Sequence, residues 1–263
     1  MIVLSKDEQA AVKWLAGRGV RVAEPTTLLT TRLSVRRGRP APEAFTAVFV
    51  MGAVAFTGMS GYPLLRLLPG VDRSSDLPAG GYWSLFAAWA SLRTWLHARA
   101  ADRRAAEQLG DRRLDRPRPP WRDVVTGWHL ATLLITFGGG AVLGIVLAAA
   151  GSVWALFWLG TLVLGAVVDA VILTSVLRRP VLAEDEGSLA VDFVARLQDV
   201  QVVLPSFLAV LVVVPDLAFG DAPAWPWLTG YVGLAVGAHV VAAVTQRRRT
   251  PALAADGCYG EAA

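Results

Sequence analysis

Four ionisable side chains lie inside long apolar blocks of the sequence: Arg93, His129, Asp169 and His239. Such groups at membrane depth usually face the interior of a helix bundle, where they pair with one another or line a pathway for protons or substrate. Counted at about 1.5 Å per residue, all four fall in the same half of the membrane. We therefore predict a polar cluster centred on Asp169, with Arg93 or His239 as its partner. A buried structural pair is the alternative to a pathway.

A serine motif in the first apolar block raises the question of catalysis. Gly58 to Gly61 reads GxSG, which resembles the serine motif of rhomboid intramembrane proteases, and that resemblance implies a dyad of Ser60 with His239. His239 lies roughly 15 Å deeper than Ser60 by residue count. The chain also has no Asn, which removes an oxyanion-side residue typical of that family. These departures favour a protein that is not an enzyme.

The sequence also lacks the residue patterns that nucleotide binding and metal binding need. The sequence has no GxxxxGK[ST] or HExxH segment, and no two histidines lie at the i, i+3 or i, i+4 spacing of a helical metal site. Cys258 is the only cysteine, so an intrachain disulfide and a cysteine zinc site are excluded. We predict no metal and no cofactor.

Glycines recur at GxxxG spacing in two apolar blocks, as Gly140 with Gly144 and as Gly233 with Gly237. Small residues at this spacing let helix backbones approach closely in membranes. We therefore predict helix packing at all four glycines. The run of Gly138 to Gly140 has a second interpretation, a hinge.

The apolar blocks themselves define the fold class, an all-α membrane protein. The chain is 54% hydrophobic and 17% charged, whereas soluble domains carry about 25% charged residues. A spanning helix needs about 20 apolar residues. We predict a six-span transmembrane helical bundle over residues 44–245, with spans at 44–62, 82–97, 124–150, 152–177, 200–218 and 227–245.

Loop charge sets the orientation of these spans. Of the 25 Lys and Arg residues, 22 fall on one side of the six-span arrangement, and only Arg66 and Arg73 fall on the other. Because basic loops stay in the cytoplasm, both termini are predicted to be cytoplasmic. The span at 82–97 contains Arg93 and is the weakest, but omitting it divides the basic residues far less unevenly. The predicted cytoplasmic segments are 1–43, 98–123, 178–199 and the tail 246–263.

Three of the cytoplasmic segments are predicted to contain helix, and the first two are 1–43 and 98–123. Ser5 and Glu8 have capping-box spacing before a short helix, although a disordered tail is the alternative. Gly110 is predicted to end the second long helix. The basic loop 98–123 is a candidate surface for anionic lipid, or else a solvated orientation loop. Its lipid candidates are Arg103, Arg104, Arg112 and Arg113.

The segment 178–199 differs in sign from the other inner loop. Glu184, Asp185 and Glu186 precede Ser188, which is a suitable N-cap, and apolar residues then recur at helical spacing. This pattern predicts an interfacial amphipathic helix that leads into the fifth span. A helix that binds a protein partner is the alternative.

The chain has 23 Arg, 2 Lys and no Asn, as expected of GC-rich coding DNA. Its basic N-terminus, six spans and acidic segment before the helix of 189–200 are similar to uncharacterised multi-pass membrane proteins of high-GC bacteria. That resemblance implies the bacterial cell membrane and no particular activity. The basic residues lie between apolar blocks, so nucleic acid is not an expected partner. We predict an accessory, scaffold or regulatory membrane component; the alternative is a transporter or permease subunit with a polar site around Asp169.

Overall fold

The computed structural model describes residues 4–36, 79–112, 114–201, 225–254 and 257–262, and this part of the chain is mostly helical. A π-helical segment lies at Leu134–Gly139. Short 3₁₀ turns lie at Ser34–Arg36 and Gly110–Arg112. The elements are α1 (Lys6–Ala16), β1 (Val22–Pro25), α2 (Thr27–Leu33), α3 (Ala79–Leu109), α4 (Trp121–Val124), α5 (Gly127–Leu133), α6 (Gly140–Ala149), α7 (Val153–Arg178), α8 (Glu186–Gln201), α9 (Trp225–Arg249) and β2 (Gly260–Ala262).

Three helical stretches are long and apolar enough to cross a membrane: Gly127–Ala149, Ala155–Arg178 and Pro226–Arg249. They coincide with the predicted third, fourth and sixth spans. Large apolar side chains project outward from all three, such as Leu134 and Leu234, which are 73% and 65% exposed. Apolar surface of this extent needs lipid around it. These stretches mark the chain as a helical membrane protein.

The predicted second span lies within α3, a helix of 31 residues. As predicted, α3 ends just before Gly110, whose φ of +47° is readily adopted by glycine. This helix is not among the three that are apolar enough to cross a membrane. The predicted first span, Ser60 and all of the fifth span beyond residue 201 lie outside the described residues.

The helices α6 and α7 form a tight antiparallel hairpin. A methyl group added to Gly144 would lie 2.7 Å from Cδ2 of Leu159, and one added to Gly140 would lie 2.9 Å from Cδ1 of Leu162. At either position a Cβ atom would overlap the end of the facing leucine side chain, which would have to move. The two glycines therefore allow the helices to approach closely.

The helix α9 also packs against α5 and α6, antiparallel to them. The Tyr231 hydroxyl donates to the Thr136 carbonyl at 2.8 Å, and the Gln246 amide donates to the Val124 carbonyl at 3.5 Å. The carbonyl of Thr136 lies in the π-helical segment, where the wider turn disturbs the regular hydrogen-bond ladder. Because α7 and α9 both oppose α5 and α6, they run parallel to each other.

A second body, which we call the polar lobe, consists of the described residues of 4–36, 98–120, 179–201 and 250–262. Its N-terminal helix forms as predicted, with the Ser5 hydroxyl accepting from the Glu8 backbone and the Glu8 carboxylate accepting from the Ser5 backbone. The core of the lobe joins α1 and α2 to α8 and to the C-terminal tail. Its buried members include Trp14, Leu15, Leu29, Leu33, Val191, Val194, Leu253 and Tyr259.

The two ends of the chain meet in a two-stranded antiparallel sheet. Val22 pairs with Ala262, and Pro25 pairs with Gly260. Gly260 has a φ of +143°, and a Cβ atom there would lie 1.9 Å from the Glu24 carbonyl oxygen, so this crossing requires glycine. The N-terminal and C-terminal segments therefore lie in one folded unit.

The helix α8 differs from the predicted interfacial helix. It begins at Glu186, and Asp185 rather than Ser188 caps it, because the Asp185 carboxylate accepts from the Ser188 backbone at 2.6 Å. Most of its residues are buried, and these include polar side chains beside apolar ones; Asp192 and Arg196 are each 1% exposed. A helix that is buried around most of its circumference packs within protein and does not lie on a lipid surface.

Candidate functional site: a buried arginine–aspartate network

Seven charged side chains converge where the polar lobe meets the end of α7. All are buried apart from a partly exposed Arg179, and Arg32 is completely inaccessible. Buried charges are tolerated only when they are paired and hydrogen-bonded. The members of the network are Arg32, Arg36, Asp102, Arg179, Asp192, Arg196 and Asp199.

Helical spacing places these residues on facing surfaces. Arg32 lies at the end of α2, and Arg36 follows one turn later. Three members from α8 lie at spacings of four and three residues, so they share one helix face. Arg179 stands immediately after α7, and Asp102 lies in the α3 stretch that belongs to the lobe. Five elements thus contribute to one site.

Asp102 is at the centre of the network. Its Oδ1 accepts from Nε of Arg32 at 3.0 Å, and its Oδ2 accepts from Nη2 of Arg36 at 3.0 Å. Nη1 of Arg179 also donates to Oδ2. One carboxylate therefore holds three guanidinium groups that come from three different elements.

The two carboxylates of α8 complete the pairing. Nη2 of Arg32 donates to Asp192 at 2.6 Å, and Nη2 of Arg36 donates to Asp199 at 3.1 Å. Nη1 of Arg179 lies 3.0 Å from the Asp199 carboxylate. Each of these three arginines thus connects Asp102 to a carboxylate of α8.

Arg196 has a separate task at the C-terminal end of α7. Its guanidinium donates to the carbonyls of Val176, Arg179 and Pro180 at 3.2, 2.9 and 2.7 Å, while Nε donates to Asp192. The last carbonyls of a helix have no partners within the helix, and they favour a nearby positive charge. Arg196 therefore fastens α8 to the terminus of α7.

The electrostatics of the site keep its members charged. Burial alone would raise the pKa of Asp102, but Arg36, Arg179 and Arg32 outweigh burial and hold that pKa well below its usual range. The pKa of Asp192 is lowered in the same way, against its burial, by Arg32, Arg179 and Arg196. Burial opposes the charge of Arg36, yet Asp102 and Asp199 raise its pKa.

The arrangement limits the chemistry that the network can perform. Each carboxylate accepts from at least two guanidinium groups, so none is a free general base or nucleophile. Within the described ranges, no group of three His, Cys, Asp or Glu residues could hold a metal ion. The geometry is that of a clamp between elements.

Three of the four ionisable residues predicted at membrane depth are buried in the three-helix part of the structure. His129, Asp169 and His239 are 4%, 7% and 1% exposed. Oδ2 of Asp169 is buried and has no hydrogen-bond partner, and Asp169 forms no ion pair with any residue that the structure describes. Arg93 is exposed on α3 and is not paired with Asp169.

Helix register gives Asp169 and His239 similar depths. Leu162 of α7 and Tyr231 of α9 both lie against Gly140. From this shared contact, Asp169 lies seven residues along α7 and His239 lies eight along the parallel α9, or about 10.5 and 12 Å. The shared level that residue counting predicted is therefore consistent with the packing of the helices.

The other predicted residues are the four glycines of the GxxxG pairs and the four arginines proposed to contact lipid. Gly140 and Gly144 lie at close helix contacts, whereas no described atom lies within 4 Å of a Cβ added to Gly233 or Gly237. Arg103, Arg104 and Arg112 are exposed on the lobe, and Arg113 lies outside the described residues.

Sequence reasoning missed the network entirely, because it counted the arginines as loop charge. Two signals were present. In α8, charged residues recur at 192, 196 and 199, beside apolar residues of the same period. In α3, Asp102 belongs to a stripe of buried alanines at 98, 101 and 105, a pattern typical of a packed helix face.

Comparison of the chain with protein-family models, with curated proteins and with solved structures finds no match. The class of the protein therefore rests on its own helices and on its buried network.

Proposed function

We propose that the protein is an accessory component of a bacterial cell membrane, with a scaffold or regulatory role and no catalytic activity of its own. The buried network carries this proposal. It fixes a folded lobe, built from both ends of the chain, to helices that are suited to a membrane. Such a lobe is a rigid platform that a partner protein can contact. The cell is a high-GC bacterium in this proposal, as the arginine-rich composition suggests.

The six-span topology, with both termini in the cytoplasm, is part of the proposal, and two structural observations support it. Described residues of all four segments that charge counting assigned to the cytoplasm meet in the polar lobe. Three of these segments meet at the ion pairs of Arg32 with Asp102 and with Asp192, and the C-terminal tail packs in the core of the lobe. The pairing of β1 with β2 brings both ends of the chain to one side. Termini on one side require an even number of crossings, so the three apolar helices need at least one more.

The single cysteine allows a direct test of this topology. Cys258 is exposed, and a membrane-impermeant maleimide should label it in inverted vesicles but not in intact cells. In a C258S background, R112C should behave in the same way, while R73C should be labelled in intact cells. Labelling of Cys258 from outside would overturn the proposed orientation.

The accessory role predicts a defined protein partner on the lobe. A photo-crosslinking residue placed at the exposed Arg104 or Glu107 should give one discrete cross-linked species in the native membrane. The D102N substitution, which breaks the network, should abolish the cross-link, while the exposed control D111N should preserve it. A lobe that cross-links to no protein from either position would count against an accessory role.

A transporter or permease subunit is the second candidate, and the buried carboxylate of Asp169 is the observation that favours it. An unpaired carboxyl at membrane depth is costly, and proton pathways retain such groups for function. Reconstituted vesicles separate the two proposals. A proton flux that D169N abolishes would establish transport, whereas the accessory role predicts no flux above that of protein-free vesicles.

A further inference from the structure

A groove of about 740 Å³ lies between α3 and the second half of α7, and two members of the buried network, Asp102 and Arg179, form part of its lining. One wall is an apolar strip on α7 that includes Val167, Ala170 and Val171. Val167 and Val171 are 55% and 49% exposed. This strip belongs to a stretch that is apolar enough to cross a membrane. The groove therefore continues from membrane depth to the polar lobe.

Three arginines stand at the lobe end of the groove: Arg99 and Arg103 on α3, and Arg178 at the end of α7. All three are exposed, and none forms an ion pair with a described residue. The guanidinium of Arg99 lies over the Trp95 ring, 5.0 Å from its centroid. Asp102 also lines the groove, but its carboxylate is already held by three arginines of the network. The groove mouth thus has an uncompensated positive charge.

We propose that this groove binds one anionic phospholipid, with its phosphate among Arg99, Arg103 and Arg178 and an acyl chain along the apolar strip of α7. The inference rests on the proposed location of the protein in the membrane. It replaces diffuse lipid contact along the basic loop with binding at a single site. Charge complementarity selects the phosphate, since guanidinium groups recognise phosphate oxygens through charge-assisted hydrogen bonds. The apolar wall selects a lipid over a soluble phosphate.

Arg99 and Arg103 lie on the same face of α3, four residues and about one turn apart, so both can reach one phosphate. A bound phosphate there would connect α3 to the end of α7, next to Arg179 of the network. The lipid would therefore add an external link between two elements that the network already joins internally.

The test measures lipid binding to the purified full chain in neutral detergent by native mass spectrometry. Wild type should bind one phosphatidylglycerol in preference to phosphatidylcholine. R99Q/R103Q/R178Q should weaken phosphatidylglycerol binding by roughly a hundredfold. The control R104Q/R112Q/R118Q removes the same charge from neighbouring exposed positions and should change binding by no more than about threefold. Equal losses in the two triple variants would overturn the single site in favour of diffuse attraction.

Two further variants separate binding from folding. R103Q/R178Q preserves the contact of Arg99 with Trp95, and A170W fills the apolar wall without changing charge. Both should weaken phosphatidylglycerol binding while the unfolding temperature stays at the wild-type value. Competition by soluble glycerol phosphate, or full binding by A170W, would overturn the lipid assignment. Such results would leave the labelling of Cys258 and the cross-linking of the lobe unaffected, so the proposed function is tested separately.

Discussion

The polar lobe and the three apolar helices are held together by opposite means. The network of the lobe pairs seven charged side chains, of which six are buried and Arg179 is partly exposed. The apolar helices are joined by close contacts at Gly140 and Gly144 and by the edge of one aromatic ring against another, with Trp158 and Tyr231 at 5.5 Å between centroids. Asp169 is buried among these helices without an ion pair to any described residue.

The difference shows how surroundings select the interaction. Apolar burial cannot favour one helix partner over another within lipid, so close fit joins the three helices. In the lobe, apolar burial supplies the stability, and the ion pairs decide which elements meet, because any mismatched arrangement would strand a charge. The lobe should therefore be sensitive to charge and pH, and the apolar helices to side-chain volume.

The largest expected effect comes from D102N, which leaves three buried arginines without their shared carboxylate. We expect it to lower the free energy of unfolding of the lobe by about 3–5 kcal/mol. Hydrogen exchange should accelerate in α2 and α8 and remain unchanged in α6 and α7. The exposed D111N should resemble wild type. Slower or unchanged exchange in α8 would show that the network does not hold the lobe.

The R36M substitution tests the charge balance of the network, because the described network contains four arginines and only three aspartates. Removing one arginine leaves equal numbers of both charges, whereas removing Asp102 increases the imbalance. R36M should therefore destabilise the lobe by less than D102N, by about 1–3 kcal/mol. The same exchange measurement ranks the two variants, and a larger loss in R36M would contradict this account.

Acid should unfold the lobe before it affects the apolar helices. The pKa values of Asp102 and Asp192 are lowered in the folded state, so their contribution to stability is complete above the unfolded value of about 3.9 and declines below it. The difference in unfolding temperature between wild type and D102N should be constant from about pH 5 to 7 and narrow below about pH 4. If the difference in unfolding temperature narrowed near neutral pH instead, its pH dependence would have to come from another titratable group.

The next effect is steric and belongs to the apolar helices. A methyl group on Gly140 would lie 2.8 Å from the Tyr231 hydroxyl and 2.9 Å from Leu162. G140A should therefore cost about 1–3 kcal/mol, measured by unfolding in mixed detergent micelles. G160A is the matched control, because nothing lies within 4 Å of its added methyl. Equal stability of the two variants would mean that close approach at Gly140 contributes nothing.

Much of the fold was predictable because it depends on local patterns. Three spans follow from runs of about 20 apolar residues, the first helix from its capping box, and the end of α3 from Gly110. The burial of α8 was not predictable in this way, since charged residues were assigned to solvent. Arg32 and Asp192 are 160 residues apart in sequence, and no local pattern shows that they meet.

For the candidate site residues, too, only the properties that follow from local sequence could be predicted. Counting residues placed Asp169 and His239 at one depth, because the rise of a helix is nearly constant. Counting could not show which way a side chain points around its helix axis. Arg93, which counting assigned to a similar depth, is accordingly exposed and not paired with Asp169. The clamp needed pairings between four distant segments, which only the assembled structure provides.

The smallest expected effect tests whether a local signal supports the long-range network. The Thr26 hydroxyl caps α2 by accepting from the Leu29 backbone at 3.3 Å, and α2 carries Arg32 into the network one turn later. T26A should cost about 1 kcal/mol, whereas T26S preserves the hydroxyl and should match wild type. In D102N, Arg32 has already lost a main partner, so fixing the direction of α2 should matter less there. If T26A lowers the free energy of unfolding by less in the D102N background than in wild type, the cap acts through the network. If the loss is equal in both backgrounds, the cap stabilises only its own helix.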